Sequence, residues 1–185
     1  MTLTSRLTSA LVLVAALAAP AMAQPPREDA QVARDIASAV ITYPQFTIFD
    51  DISATLDRGT VVLSGKVTMP YKRDDLARRI AKVAGVDRVE NNVQVLPVSF
   101  FDDDLRHTIA RAIYRNDAFT QYASMMNPPI HVIVEHGRVT LTGVVNSDVE
   151  RVLARVIAAS FGEFSLVNDL KTDAEMAKAA GRGGL

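Results

Sequence analysis

The sequence predicts an α+β protein built from two tandem copies of one small domain, each a three-stranded mixed sheet covered by two helices. Three observations predict it. The stretch Asp57–Val67 (DRGTVVLSGKV) returns as Glu135–Val145 (EHGRVTLTGVV), with Gly59 and Gly65 matched by Gly137 and Gly143. Apolar residues at helical spacing stand before and after each stretch. A run of alternating apolar and polar residues then closes each copy. Each copy therefore reads helix–strand–strand–helix–strand, the first over Glu28 to Pro97 and the second over Ser99 to Thr172.

In the first copy Val32, Ile36 and Val40, with Ala33 and Ala37, mark a helix that must stop before Pro44, whose ring disfavours a helical residue ahead of it. Phe46, Ile48 and Phe49 follow without a clear period. Ile52, Ala54 and Leu56 alternate with Ser53, Thr55 and Asp57 as one hairpin strand, and Thr60–Thr68 is the other. Gly59 and Gly137 suit the left-handed position of a three-residue hairpin loop, which a residue with a Cβ enters at a cost. Gly65 falls on the inward row of Val61, Leu63 and Val67, and Gly143 on that of Val139, Leu141 and Val145. A missing side chain there lets a helix or another backbone come close. Pro70 opens the second helix, with Leu76, Ile80 and Val83 on its stripe and Gly85 as its C-cap. Val89, Asn91, Val93 and Val95 form the third strand.

The second copy repeats this order. Leu105, Ile109, Ala112 and Ile113 share a helix face behind Asp102, Asp103 and Asp104, a run read as a solvated N-terminus that the helix dipole favours rather than as a metal site. Ile130, Val132 and Val134 form the first strand. Ser147 and Glu150 make a capping box for a helix bearing Val149, Val152, Leu153, Val156 and Ile157, and Gly162 ends it. Leu166, Asn168 and Leu170 alternate as the last strand. The hairpins are antiparallel, whereas a right-handed strand–helix–strand crossover leaves its strands parallel, so each sheet is mixed. Domains this small have thin cores, and mutual packing of the copies is expected, with Phe100 and Phe101 in the short join suited to that contact. The tail from Asp173 to Leu185 is expected to be flexible.

The first 23 residues read as a secretory leader: Arg6, the apolar run Leu11–Ala19, then Ala21-Met22-Ala23 with cleavage after Ala23. The run is too short to span about 30 Å of hydrocarbon, which takes about 20 residues. The chain has no cysteine, which excludes disulfides, thiol chemistry and an acylated N-terminal Cys. The bacterial periplasm is the expected destination. Formal charge is −1, and −2 once Arg6 leaves with the leader, so no global field draws the chain to nucleic acid.

No reactive constellation emerges. Ser64-Gly65-Lys66 lacks the spacing and the helix of a phosphate-binding loop. His107, His131 and His136 do not converge at metal-ligand spacing, and no pair of acids stands out for proton transfer. Asn91 and Asn168, at matched places on the third strands, are read as partners of backbone groups at a helix end. No catalysis, cofactor or metal is expected. Two features suit binding. Lys72, Arg73, Arg78, Arg79 and Lys82 put basic residues on one helix, where they face lipid phosphates or form a solvated face. The segment Ala118–Pro129 departs from the repeat and carries Phe119, Tyr122, Met125 and Met126, which either cover their own core or give an adaptable apolar surface.

The pattern resembles the BON (bacterial OsmY and nodulation) domain family in two tandem copies. The carrying residues are Gly59–Val67, Gly85–Val93 (GVDRVENNV), Gly137–Val145, and Gly162 through Leu170; Glu163-Phe164 departs from the apolar residue the family prefers after the glycine. The resemblance implies a periplasmic or outer-membrane-associated binding module of the osmotically inducible type, proposed to bind phospholipid and without catalytic residues. The expected function is support of the cell envelope under stress by weak contact with membrane phospholipid. The alternative is a protein-interaction or holdase-like adaptor.

Overall fold

The hairpins show how local sequence sets the architecture. The structure, a computed structural model, describes residues 28–182. The leader and its cleavage point at Ala23 lie outside the described residues. After helix α1 (Asp29–Ile41), strand β1 (Asp51–Asp57) pairs antiparallel with β2 (Thr60–Val67), and Asp57 stands opposite Thr60. Only Arg58 and Gly59 remain for the turn, with φ of 45° and 78°. Positive φ at both central residues is the type I′ pattern, whose twist matches the flanking strands. β4 (Ile130–Glu135) and β5 (Arg138–Val145) close in the same way around His136 and Gly137, at 52° and 71°. The loops thus hold two residues, not the expected three, and each places a non-glycine in the left-handed region.

Gly65 and Gly143 have φ of 121° and 113°. A Cβ on Gly65 would stand 2.1 Å from the Asp51 carbonyl oxygen, and one on Gly143 1.8 Å from that of Pro129. It is the neighbouring backbone that needs the space.

Helix α2 (Pro70–Ile80) carries the chain over to β3 (Arg88–Val95), parallel to β2, and the first sheet has the order β1-β2-β3. The helix ends earlier than Gly85: bonds from Val83 N to the Ile80 carbonyl (3.0 Å) and from Val86 N to that of Val83 (3.1 Å) tighten the chain into turns. The second copy adds α3 (Phe100–Tyr114), a 3₁₀ turn at Asp117–Phe119 and the one-turn α4 (Thr120–Ala123) before its hairpin. α5 (Asp148–Ala158) then leads to a third strand broken into β6 (Ser165–Asn168) and β7 (Lys171–Thr172), both parallel to β5. Where a flexible tail was expected, Asp173–Arg182 form α6. Its start is a reciprocal capping box: Thr172 N donates to Glu175 Oε2 (2.9 Å), and Glu175 N to Thr172 Oγ1 (3.3 Å).

Each copy keeps its own core. Val32, Ile36, Val61, Leu63, Leu76 and Ile80 fill the first; Ile109, Ile113, Phe119, Ile130, Leu141, Ala154 and Leu170 belong to the second. Each large apolar side chain so buried contributes about 1.5–3 kcal/mol before the entropy of ordering it is charged against it.

The join does not make the contact between copies. Phe100 is 92% exposed, because Asp102, Leu105, Arg106 and Ile109 set the buried face of α3 and turn it outward. Phe101 is also exposed and stacks on Phe164 of its own domain. The contact comes from the segment between α1 and β1. Ile48 and Phe49 pack against the second core, and the Ile48 carbonyl accepts Val132 N at 2.8 Å. The Phe46 ring lies 5.4 Å from that of His131, and the Phe49 ring 4.5 Å from that of His107. Lys66 pairs with Glu135 across the same seam.

Candidate functional site

The first-copy loop that meets the second copy is organised around one carboxylate. Asp50 is fully buried and accepts from Thr47 N (2.8 Å), Thr68 N (2.8 Å), both threonine hydroxyls and Lys72 Nζ (2.7 Å). Lys72, 4% exposed, therefore points into the fold, and its place in a basic surface is corrected: an ion pair this deep holds its ammonium away from any headgroup. The Asp50 carbonyl bonds His131 Nδ1, and Asp51 Oδ1 accepts the Thr142 hydroxyl at 3.2 Å.

Beside this cluster opens a groove of 710 Å³, within the range of small-ligand and peptide sites. α1 supplies Ala33, Ala37 and Ile41 to one wall, and β1 supplies Asp51 through Ala54 and Leu56. The second copy closes it with Pro128, Pro129, Val144 and Met176. Asn127 Nδ2 donates to the Ile41 carbonyl at 2.9 Å and ties the α1 end to the second domain.

The other basic residues of α2 are exposed in part and compensated in part. Arg73 pairs with Asp74 at 3.0 Å, and Arg78 with Asp75. Arg79 donates to the Ala39 carbonyl at 3.1 Å and lies 5.6 Å from the Tyr43 ring centre, so it clamps α2 to α1. Lys82 is exposed. The Tyr43 hydroxyl donates to Asp75 at 2.7 Å. Burial and that carboxylate push the Tyr43 hydroxyl up to about 12, and the same bond, helped by Arg78, holds Asp75 below the usual carboxylate range.

The Met/aromatic segment divides. Phe119 is fully buried and Tyr122 nearly so, and both belong to the second core rather than to a contact surface. Tyr122 donates to Glu150 at 2.6 Å and accepts Asn146 N at 3.0 Å; burial, then Glu150, raises it to about 12. Met125 and Met126 are 48% and 96% exposed. The expected core stripe of α5 divides too. Ala154 and Ala158 are its buried residues, while Val149, Val152 and Val156 are exposed. The five large apolar positions have the spacing of one stripe, but the buried centre falls towards Ala154 and Ala158, with Leu153 and Ile157 packed on the core, and this leaves the three valines on its outer edge. Gln121 Nε2 donates to Glu150 at 3.3 Å, which sets α4 beside the first turn of α5. The exposed methionines follow α4 in the chain, and the exposed valines stand on α5.

The remaining polar residues have structural partners. Asn91 donates to the Arg73 carbonyl (3.0 Å) and Asn168 to that of Arg151 (2.9 Å), each tying a third strand to the first turn of a crossover helix. Asp102 is buried, not solvated: its carboxylate accepts His136 N and Gly137 N, both at 2.8 Å, and fixes the hairpin turn. His107 Nδ1 lies 2.7 Å from the Asp103 carbonyl. Among the described residues no group of three His, Cys, Asp or Glu is placed to hold a metal ion, and no helix is long and apolar enough to cross a membrane. The geometry offers surfaces and a groove for binding.

Against known proteins, the BON domain model matches residues 28–97 and 102–172. No curated protein matches the chain. Among solved structures, CdsD, a structural protein of the type III secretion system of Chlamydia trachomatis, is 13% identical with a TM-score of 0.28, over 82% of this chain and 98% of that one. The C-terminal domain of CdsD is 14% identical with a TM-score of 0.26, over 75% and 96%.

Proposed function

Because this chain belongs to the BON domain family, in two tandem copies, we propose that it is an exported binding protein that supports the cell envelope by weak, reversible contact with phospholipid. BON domains are non-catalytic binding domains associated with membranes or phospholipid and with stress-related periplasmic proteins. The observation that carries the reading is the exposed apolar surface of the second copy: Met125 and Met126 after α4, and Val149, Val152 and Val156 on α5. Apolar side chains at the rim of a small domain partition into the headgroup boundary, and neighbouring cations add attraction to anionic lipid. Arg155 on α5 is exposed, and Arg78 on α2 and Lys82 just beyond that helix offer a second, weaker attraction. Lys72, Phe119 and Tyr122 have no part in it. The reading includes export to the periplasm with cleavage after Ala23 and a role under osmotic or envelope stress.

Co-flotation with phosphatidylglycerol-containing vesicles tests it on a chain that begins at Gln24. The unaltered chain floats at low salt, and Met126→Asp and Val152→Asp each remove at least half of the floating fraction while the melting temperature holds. Equal flotation of both variants overturns the reading. The adaptor reading is favoured by one observation, the groove between the copies.

A further inference from the structure

β1 is the outer strand of the first sheet and is paired on one side only. Its hairpin closes with Asp57 opposite Thr60, and hydrogen-bonded pairs alternate from there. Thr55 and Ser53 therefore bond to β2, whereas the N–H and C=O groups of Ile52, Ala54 and Leu56 point away from it. Among the described residues, no backbone bond from another segment reaches those three. Asp51, Ile52, Ser53 and Ala54 all line the groove. Consecutive residues of a strand point to opposite faces, so they share one groove only where it runs along the strand's edge. The opposite wall is Ala33, Ala37 and Ile41 of α1. The middle of the edge is unprotected: β1 has no Lys, no Pro and no break in register, its charges stand only at its ends, Asp51 and Asp57, and Ser53, Ala54 and Thr55 are exposed.

The second copy shows what such an edge accepts. In the repeat Val132 stands where Ala54 does, each opposite a matched leucine, Leu141 and Leu63. Val132 N donates outward at 2.8 Å to the carbonyl of Ile48, a residue of the apolar segment that packs on that edge. One of two equivalent edges is thus covered by polypeptide with apolar side chains, and the other is bare among the described residues. The bare edge continues from the covered one through Phe46, Asp51 and His131, which line the groove.

We propose that the free edge of β1 docks an extended polypeptide segment with aliphatic side chains at alternate positions, added as a further strand whose side chains enter the groove against α1. Main-chain bonds to Ile52, Ala54 and Leu56 give the affinity, and the aliphatic walls select the side chains. An acyl chain would fill the walls and leave the edge's polar groups unmet, which favours peptide over lipid here. The site is distinct from the proposed membrane contact, since neither methionine of that contact and none of its three valines lines the groove.

The probe is a fluorescein-labelled peptide of alternating valine and threonine with a lysine at each end, read by fluorescence anisotropy against the chain from Gln24. Saturable binding is expected. N-methylation of the valines, which keeps every side chain and removes the N–H donors, weakens it about tenfold or more. Ala54→Pro, which removes an outward N–H and no bond to β2, does the same. Ala37→Trp, which fills the groove from α1, also weakens binding. Should Ala54→Pro fail to fold, the N-methylated peptide on the unaltered chain decides. Equal binding of both peptides overturns the proposal. So does a groove that takes dodecyl maltoside and no peptide. A concentration-dependent dimer in sedimentation velocity that Ala54→Pro abolishes assigns the edge to a second copy and overturns it as well.

Discussion

The two copies meet one backbone requirement with different chemistry. Where the second hairpin strand turns into the crossover helix, an amide faces inward and needs an acceptor. In the first copy Thr68 N finds Asp50, at 2.8 Å, whose charge is balanced by Lys72. In the second copy the matching amide, Asn146 N, finds the Tyr122 hydroxyl and Glu150 Oε2, each at 3.0 Å. Glu150 occupies the place of Lys72 in the repeat, so the sign of the charge on the helix is reversed. The fold fixes where an acceptor must stand and leaves its chemistry free. The costs differ, because the first solution buries an ion pair and the second keeps its carboxylate near the surface.

The sharpest way to break the comparison is Asp50→Ala. It leaves the Lys72 ammonium buried and unpaired and also orphans Thr47 N and Thr68 N. A loss of roughly 3–5 kcal/mol is expected in the first domain, the range for breaking a buried pair from one side. Hydrogen exchange of the β2 amides reads it, and the β5 amides serve as the internal reference. Lys72→Met should cost less, since Asp50 keeps four donors from Thr47 and Thr68. If Lys72→Met costs as much as Asp50→Ala, the carboxylate is not the organising group.

Tyr122→Phe is the matching change in the second copy and should cost about 1.5–3 kcal/mol, the range for a hydrogen bond to a charged group. Asn146 N keeps Glu150 as an acceptor, and the ring stays packed beside Phe119. Exchange of the β5 amides measures it. A loss as large as that from Asp50→Ala would erase the distinction between the two solutions. Burial and Glu150 hold the Tyr122 hydroxyl at about 12, as burial and Asp75 hold that of Tyr43. A raised folded value means that the stabilisation is complete below the unfolded value near 10 and is lost as pH rises through the folded one.

The same contrast explains what local sequence could reveal. The repeated hairpins, the helix stripes of α1 and α3 and the tandem order were legible because periodicity and turn glycines are local signals. Lys72 was not, since its partner lies 22 residues away and the other basic residues of the segment, Arg73, Arg78, Arg79 and Lys82, are at least partly exposed. Phe46, Ile48 and Phe49 show no period because they serve two surfaces at once, the turn before β1 and the edge of β4. The groove depends on how the copies meet, which no spacing within one copy encodes. The start of α6 could have been found: Thr172-Asp-Ala-Glu175 has the spacing of the capping box at Ser147.

That capping box gives the smallest effect and a further difference, because only the second copy carries a helix after its last strand. Glu175 is held below its usual range first by Thr172 N–H and then by the Arg151 guanidinium, which it meets at 3.0 Å. A lowered folded value contributes stability above the unfolded value of 4.5 and loses it as pH falls through the folded one. Acidification from about pH 6 to about pH 3 should therefore loosen α6, while the strands of both sheets stay ordered. Backbone chemical shifts of residues 173–179 report the change directly. Glu175→Gln keeps the shape but lacks the charge, so α6 should be frayed at both pH values and its shifts should no longer follow acid. If α6 in the variant still melts with the acid profile of the unaltered chain, the cap is not what holds it, and the docking of α6 on Arg151 must be traced to other groups.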